Sequence, residues 1–318
     1  MTFTSPDEDR TPAAKDTPAD VGRHVLFGFL MGAADTVPGV SGGTVAFVCG
    51  IYARLIDAIR DAARAGTHVA RGRFRDGLRE LRAVDWPLLV PLLIGILAAV
   101  FSLASAIEHL LEEEPVRIAG FFLGLVLASV VVSARQLRAP DARTLAIILI
   151  VGAAFFVLLG LRSETSAEAA DDAGAPLWAY PLSAMIAICA MILPGVSGSF
   201  LLVTMGMYDD VLAAVNDREF GILILFALGC VVGLALFSRV LAWLLDNHHD
   251  IVVAAMIGLM LGSVRVLWPW PGGTDTTELA WPADDVVVPL LLAAVGFAVV
   301  LALGRLGALR EEPVPHPG

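Results

Sequence analysis

Lysine is almost missing from this chain of 318 residues: Lys15 stands alone among 21 basic residues. Charge of either sign is scarce at 17%, while apolar residues reach 57% and mean hydropathy is +0.78. Soluble domains carry roughly 25% charged and 45–50% apolar residues. A water-soluble globule is therefore excluded, and a polytopic membrane protein is expected. What charge remains is acidic, to a net of −11, which argues against nucleic acid as a partner. Acid-rich, lysine-poor loops fit a chain working in high salt, as in a halophilic archaeon. Cysteine is equally sparse. Cys49, Cys189 and Cys230 fall in apolar runs without CxxC spacing and read as buried, inert thiols. No His, Cys and carboxylate cluster has metal-site spacing, and no phosphate-loop or dinucleotide motif is present, so no cofactor is expected. Residues 1–20 lack the basic start and apolar core of a signal peptide and read as a disordered tail.

What is present is one motif written twice. The first copy reads Pro38-Gly39-Val40-Ser41-Gly42-Gly43, followed by Gly50-Ile51-Tyr52. The second reads Pro194-Gly195-Val196-Ser197-Gly198-Ser199, followed by Gly206-Met207-Tyr208. Both lie inside long apolar runs, where Pro-Gly and a further Gly break an uninterrupted helix. Each copy heads a faulted segment (about 25–59 and 180–215), and ordinary spans follow each. In the first half these cover about 86–107, 117–134 and 143–161; in the second, about 220–244, 251–268 and 286–304. A second match supports duplication: Phe122 to Val130 aligns with Met256 to Val264, within the second ordinary span of each half. The expected fold class is an all-α polytopic membrane protein of two inverted repeats, each a re-entrant helical hairpin plus three transmembrane helices. Its parts are a tail at 1–20, repeat 1 at 21–162, an external linker at 163–177, repeat 2 at 178–305 and a cytoplasmic tail at 306–318.

Arginine placement orients the spans. With the Arg-rich 60–82 loop in the cytoplasm, Glu112–Glu114, the acidic linker and the 269–285 loop fall outside. Arg135, Arg138, Arg143, Arg305 and Arg310 fall inside, as do both termini. If both faulted segments crossed fully, the second half would flip and Arg305 would lie outside. The pattern therefore favours two hairpins inserted from opposite faces.

Irregular backbone at membrane depth is tolerated where it is buried in protein or lines a wet cavity. Ser41 and Ser197 stand where a half-helix begins. There the N–H groups of Gly42, Gly43, Gly198 and Ser199 carry the positive end of a helix dipole, a ready anion site. Hydroxyls of Ser41, Thr44, Ser197 and Ser199 can add hydrogen bonds. The bland reading is that Gly and Ser only permit close helix packing. Asp35 precedes the first break, and its repeat equivalent is Met191. It is a candidate carrier of a coupling proton or sodium ion, or else a hydrogen-bonding turn residue. Arg265, whose equivalent is Val131, is either a bidentate phosphate ligand or a snorkelling side chain. Arg239 reads as snorkelling. Tyr52 and Tyr208 either anchor at interfaces or line the cavity. Gly-Val-Ser-Gly also spells the serine motif of intramembrane proteases, but all six histidines fall in tails, loops or span ends, leaving that serine without a base.

The stretch Met31 to Thr44, with Leu193 to Ser199 and Gly258 to Ser263, resembles the polytopic bacterial and archaeal proteins linked to polyprenyl-phosphate translocation. The resemblance covers about 22–305. It implies flipping of an undecaprenyl- or dolichyl-phosphate-like carrier across the cytoplasmic membrane, without enzymatic chemistry. The competing readings are a small-anion carrier, a membrane-embedded enzyme on lipid phosphates and a non-transporting scaffold.

Overall fold

The computed structural model describes residues 18–35, 41–160, 175–273, 276, 278–282 and 285–308. Most of the expected tails and of the linker, and the first Pro38-Gly39-Val40 break, lie outside them; α1 already includes residues 18–20 and α12 residues 306–308. Among the described residues the chain is all-helical: α1 Pro18–Asp35, α2 Gly42–Val48, α3 Tyr52–Ala70, α4 Phe74–Ala83, α5 Trp86–Glu113, α6 Pro115–Ala134, α7 Ala142–Gly160, α8 Ala179–Ile192, α9 Gly198–Thr204, α10 Tyr208–Asn216, α11 Phe220–Ser263 and α12 Val287–Ala308. Five helices are long and apolar enough to cross a bilayer, or six if the bent α2–α3 pair counts as one span. The helix starts are legible in the sequence. Asp85 caps α5 by accepting from the Leu88 N–H at 3.3 Å, and α5 and α6 each carry proline in the first turn.

Two expectations need correction. The second half of the first faulted segment, expected as one half-helix to Ile59, is broken again. Gly50 (φ 73°) separates α2 from α3, which lie at 120° to each other. Gly206 (φ 68°) makes the matching turn between α9 and α10. A Cβ at Gly50 would meet nothing within 4 Å, so the left-handed backbone, rather than space, calls for glycine there. The Arg-rich 60–82 stretch is not a loop but a helical hairpin of α3 and α4. The spans expected at 220–244 and 251–268 are two helical stretches, numbered together as α11, that meet at non-helical backbone at His248 (φ −138°, ψ 42°).

Helix contacts follow small residues, because in lipid helices associate where backbones can approach closely. A Cβ added at Gly95 of α5 would land on the Val25 carbonyl of α1. A Cβ at Gly229 of α11 would land on the Pro181 carbonyl of α8. Gly95 and Gly229 hold matching places in the two halves, as do Val25 and Pro181. Gly124 of α6 meets Ala293 of α12, while its counterpart Gly258 in α11 meets Ile148 and Val151 of α7. The packing scheme is thus written twice, with α6 and the end of α11 each gripping the last span of the other half.

Two junctions tie the connections together at the ends of the bundle. The backbone N–H groups of Arg138 and Ala139 donate to Asp250 at 3.1 and 2.9 Å, joining the α6–α7 connection to the break in α11. These bonds, the first above all, with one from His249, hold the Asp250 carboxyl down at about 2. Elsewhere, Arg117 bridges Glu114 at 2.8 Å and Asp285 at 3.0 Å, joining the α5–α6 turn to the connection before α12.

Candidate functional site

The start of α2 meets the second break. α8 ends at Ile192, and like any helix end it leaves its last carbonyls without partners inside the helix. Side chains of the first repeat supply them. The Ser41 hydroxyl donates to the Met191 carbonyl at 2.9 Å, and the Tyr52 hydroxyl donates to the Ile192 carbonyl at 3.0 Å. In return, the Gly195 N–H donates to the Thr44 hydroxyl at 3.1 Å. Gly195 adopts φ 85°, and a Cβ there would press to 2.9 Å of the Met260 backbone, so both conformation and space demand glycine. Ser41, Thr44 and Ser197 are buried at 1%, 3% and 8% exposure. The junction is therefore internal, packed against the largest apolar cluster, in which Phe47, Tyr52 and Met260 take part.

The helix starts differ in how they are capped. At α2, Ser41 is the N-cap in extended conformation and accepts from the Gly43 N–H at 3.1 Å. The Gly42 N–H donates to the Asp35 carboxylate at 2.6 Å. The donors expected to stand free for an anion are thus held by the chain's own hydroxyl and carboxylate. At α9 no side chain among the described residues caps the helix, and the Ser197 and Ser199 hydroxyls lie 2.8 Å apart. Ser199 is exposed.

The repeat makes this difference informative. A Cβ on Gly42 would run into Asp35 Oδ2 at 2.6 Å, and a Cβ on Gly198 would run into Met191 Cγ at 2.5 Å. Asp35 and Met191 are repeat-matched, as are Gly42 and Gly198. One pocket over the helix start holds a carboxylate in the first half and a thioether in the second.

Arg265 follows the end of α11. Its guanidinium sits 5.0 Å over the Phe156 ring and against Gly160, and its buried Nε has no hydrogen-bond partner among the described residues. The neighbouring Val266 packs with Val196 of the second break. Arg54, at the start of α3, pairs with Asp85 through two bonds of 2.5 and 3.1 Å. Arg239 is half-buried and donates to the Thr67 hydroxyl at 3.2 Å. Tyr208 is 39% exposed, unlike its buried counterpart Tyr52. The sequence reading missed the carbonyls of Met191 and Ile192 as partners of the first break; the signal available was that α8 must end with unsatisfied carbonyls.

Residues 31–281 match the profile of the VCA0040-like family, described as undecaprenyl phosphate translocase-like. Among curated proteins, a Vibrio cholerae protein named polyprenyl-phosphate transporter is 41% identical over 84% of this chain and 82% of its own length. A Staphylococcus aureus protein of the same name is 29% identical over 91% of this chain and 98% of its own. No solved structure matches the chain.

Proposed function

We infer the function from one premise: the chain belongs to the VCA0040-like, undecaprenyl phosphate translocase-like family. It is a multi-pass membrane transporter for a polyprenyl-phosphate lipid, of the undecaprenyl- or dolichyl-phosphate kind. It moves that carrier across the cytoplasmic membrane for reuse and performs no chemistry on it. The observation that carries this reading is the meeting of two broken helices through Thr44 and Gly195, an irregular polar junction inside an apolar bundle.

The lipid phosphate binds at the two helix starts, through Ser41, Gly42, Gly43 and Thr44 on one side and Ser197, Gly198 and Ser199 on the other. The α9 start, lacking a side-chain cap, receives it first. At α2 the phosphate must take the Gly42 N–H from Asp35, and two anions at one helix start repel. A proton or sodium ion on Asp35 removes that repulsion, which would couple lipid movement to an ion gradient. Arg265, with its unpartnered Nε, offers the phosphate a further charged stop on its path.

Inverted insertion of the repeats gives this path two ends. The Arg138–Asp250 and Arg117–Asp285 junctions support it, since each joins connections that arginine placement assigns to one face. Under that assignment both termini are cytoplasmic.

The test is translocation of a fluorescent polyprenyl phosphate in proteoliposomes, with Ser197→Ala/Ser199→Ala alongside and sulfate as competitor. Wild type moves the lipid, the double variant is slowed at least about tenfold, and sulfate leaves the rate unchanged. No movement by folded wild-type protein would sink the reading.

A further inference from the structure

The α3–α4 hairpin leaves one face of α4 uncovered. Phe74, Leu78 and Leu81 recur at helical spacing and are 67%, 57% and 40% exposed. α4 packs on α3 through buried Gly77, where an added Cβ would meet Val69 and Ala65. At about 100° per residue, that contact lies to one flank of the apolar stripe. Arg75, Arg79 and Arg82 lie on the other flank, all exposed. Asp76 and Glu80 fall on the far side of the helix.

Connectivity limits where this face can point. Val84 and Asp85 alone separate α4 from α5, and the apolar span of α5 begins at Trp86. Trp86 is itself 43% exposed and donates through Nε1 to the Leu81 carbonyl at 2.7 Å, fastening the end of α4 to the head of the span. A helix ten residues long, held there, cannot reach far from the bilayer surface.

We propose that α4 lies in the plane of the membrane interface, its Phe74–Leu78–Leu81 stripe among the acyl chains and Arg75, Arg79 and Arg82 on the phosphates of anionic phospholipids. The physical basis is that of any interfacial amphipathic helix: apolar area enters the boundary while basic side chains at its edge meet headgroup charge. The acidic side, Asp76 and Glu80, turns to water. Charge complementarity selects the lipid, because three guanidinium groups gather on one flank of a chain that is otherwise strongly acidic. The inference rests on the protein being membrane-embedded and does not depend on what it transports.

The experiment uses full-length protein with Cys49, Cys189 and Cys230 replaced by alanine, and one spin-labelled cysteine at position 78 or 76. It is reconstituted in phosphatidylcholine vesicles with or without phosphatidylglycerol. The label at 78 should collide with oxygen severalfold more than with an aqueous nickel chelate, and the label at 76 should show the reverse. Adding phosphatidylglycerol should deepen the label at 78, and R75Q/R79Q/R82Q should abolish that deepening. Equal nickel accessibility at 78 and 76 would overturn the placement. A depth at 78 indifferent to phosphatidylglycerol would overturn the lipid preference. Monodisperse elution and lipid translocation by the labelled protein distinguish either failure from loss of fold or of transport.

Discussion

The Gly195 N–H donates to the Thr44 hydroxyl at 3.1 Å, so the break in one repeat is completed by a side chain from the other. Thr44→Val keeps the shape and removes the acceptor. A buried donor left without a partner costs about 1–3 kcal/mol. The variant should unfold at lower temperature in detergent by that order, and Thr44→Ser should recover most of the loss. Equal stability of Val and Thr would show that the contact contributes nothing.

Asp35→Asn preserves the bond to the Gly42 N–H through the amide oxygen while removing charge. Translocation driven by a proton or sodium gradient should then become insensitive to that gradient, with stability nearly unchanged. The reciprocal change Met191→Asp places a second carboxylate over the α9 start and should slow translocation by about tenfold or more. A gradient response retained in Asp35→Asn would remove Asp35 from coupling.

Gly95→Val and Gly229→Val should behave alike, because each Cβ would strike a carbonyl of the neighbouring helix in the same packing scheme. Overpacking costs about 1–3 kcal/mol. Gly66→Ala in α3 is the control: nothing lies within 4 Å of its Cβ, and alanine favours helix by about 0.5–1 kcal/mol. Thermal unfolding of the three variants in one detergent checks the order.

The Asp250 carboxyl is held at about 2, below its ordinary 3.8. A depressed carboxyl stabilises the fold above the unfolded value, and that stability fades as pH falls through the folded value. Wild type should therefore exceed Asp250→Asn in melting temperature by a constant margin near neutrality, and the margin should close between 3.8 and about 2. A margin independent of pH in that window would show that the charge on Asp250 is not what ties Arg138 and Ala139 down.

The proposed sidedness can be tested at the same two junctions. In a chain without its natural cysteines, Trp281→Cys should react with an impermeant maleimide from outside intact cells. His249→Cys should react only after permeabilisation. Reaction of both from one side would rule out the inverted arrangement.

Much of this was legible without coordinates. The spans, the duplication and the Ser41 cap each follow from local rules: apolar length, matched blocks, and a hydroxyl before a helix. The turns at Gly50 and Gly206 were present in the repeated motif, but nothing in their neighbours separates a sharp turn from a tolerated helical glycine. The Arg-rich 60–82 stretch misled for a related reason, since arginine density marks a cytoplasmic face without telling loop from amphipathic helix. The partner of Arg239 was not legible in the sequence, because Thr67 is far away in the chain.

By itself the sequence determined a membrane protein of two related halves with a broken helix in each, because composition, hydropathy and motif spacing are properties of the chain alone. Only the tertiary structure decided that the start of α2 interlocks with the second break, and that the Gly42 N–H is held by Asp35 and the Gly43 N–H by Ser41 while, among the described residues, no side chain caps α9. Hydrogen-bond partners in these breaks come from different halves of the chain. The fold chooses which donor meets which acceptor, and no local pattern carries that choice.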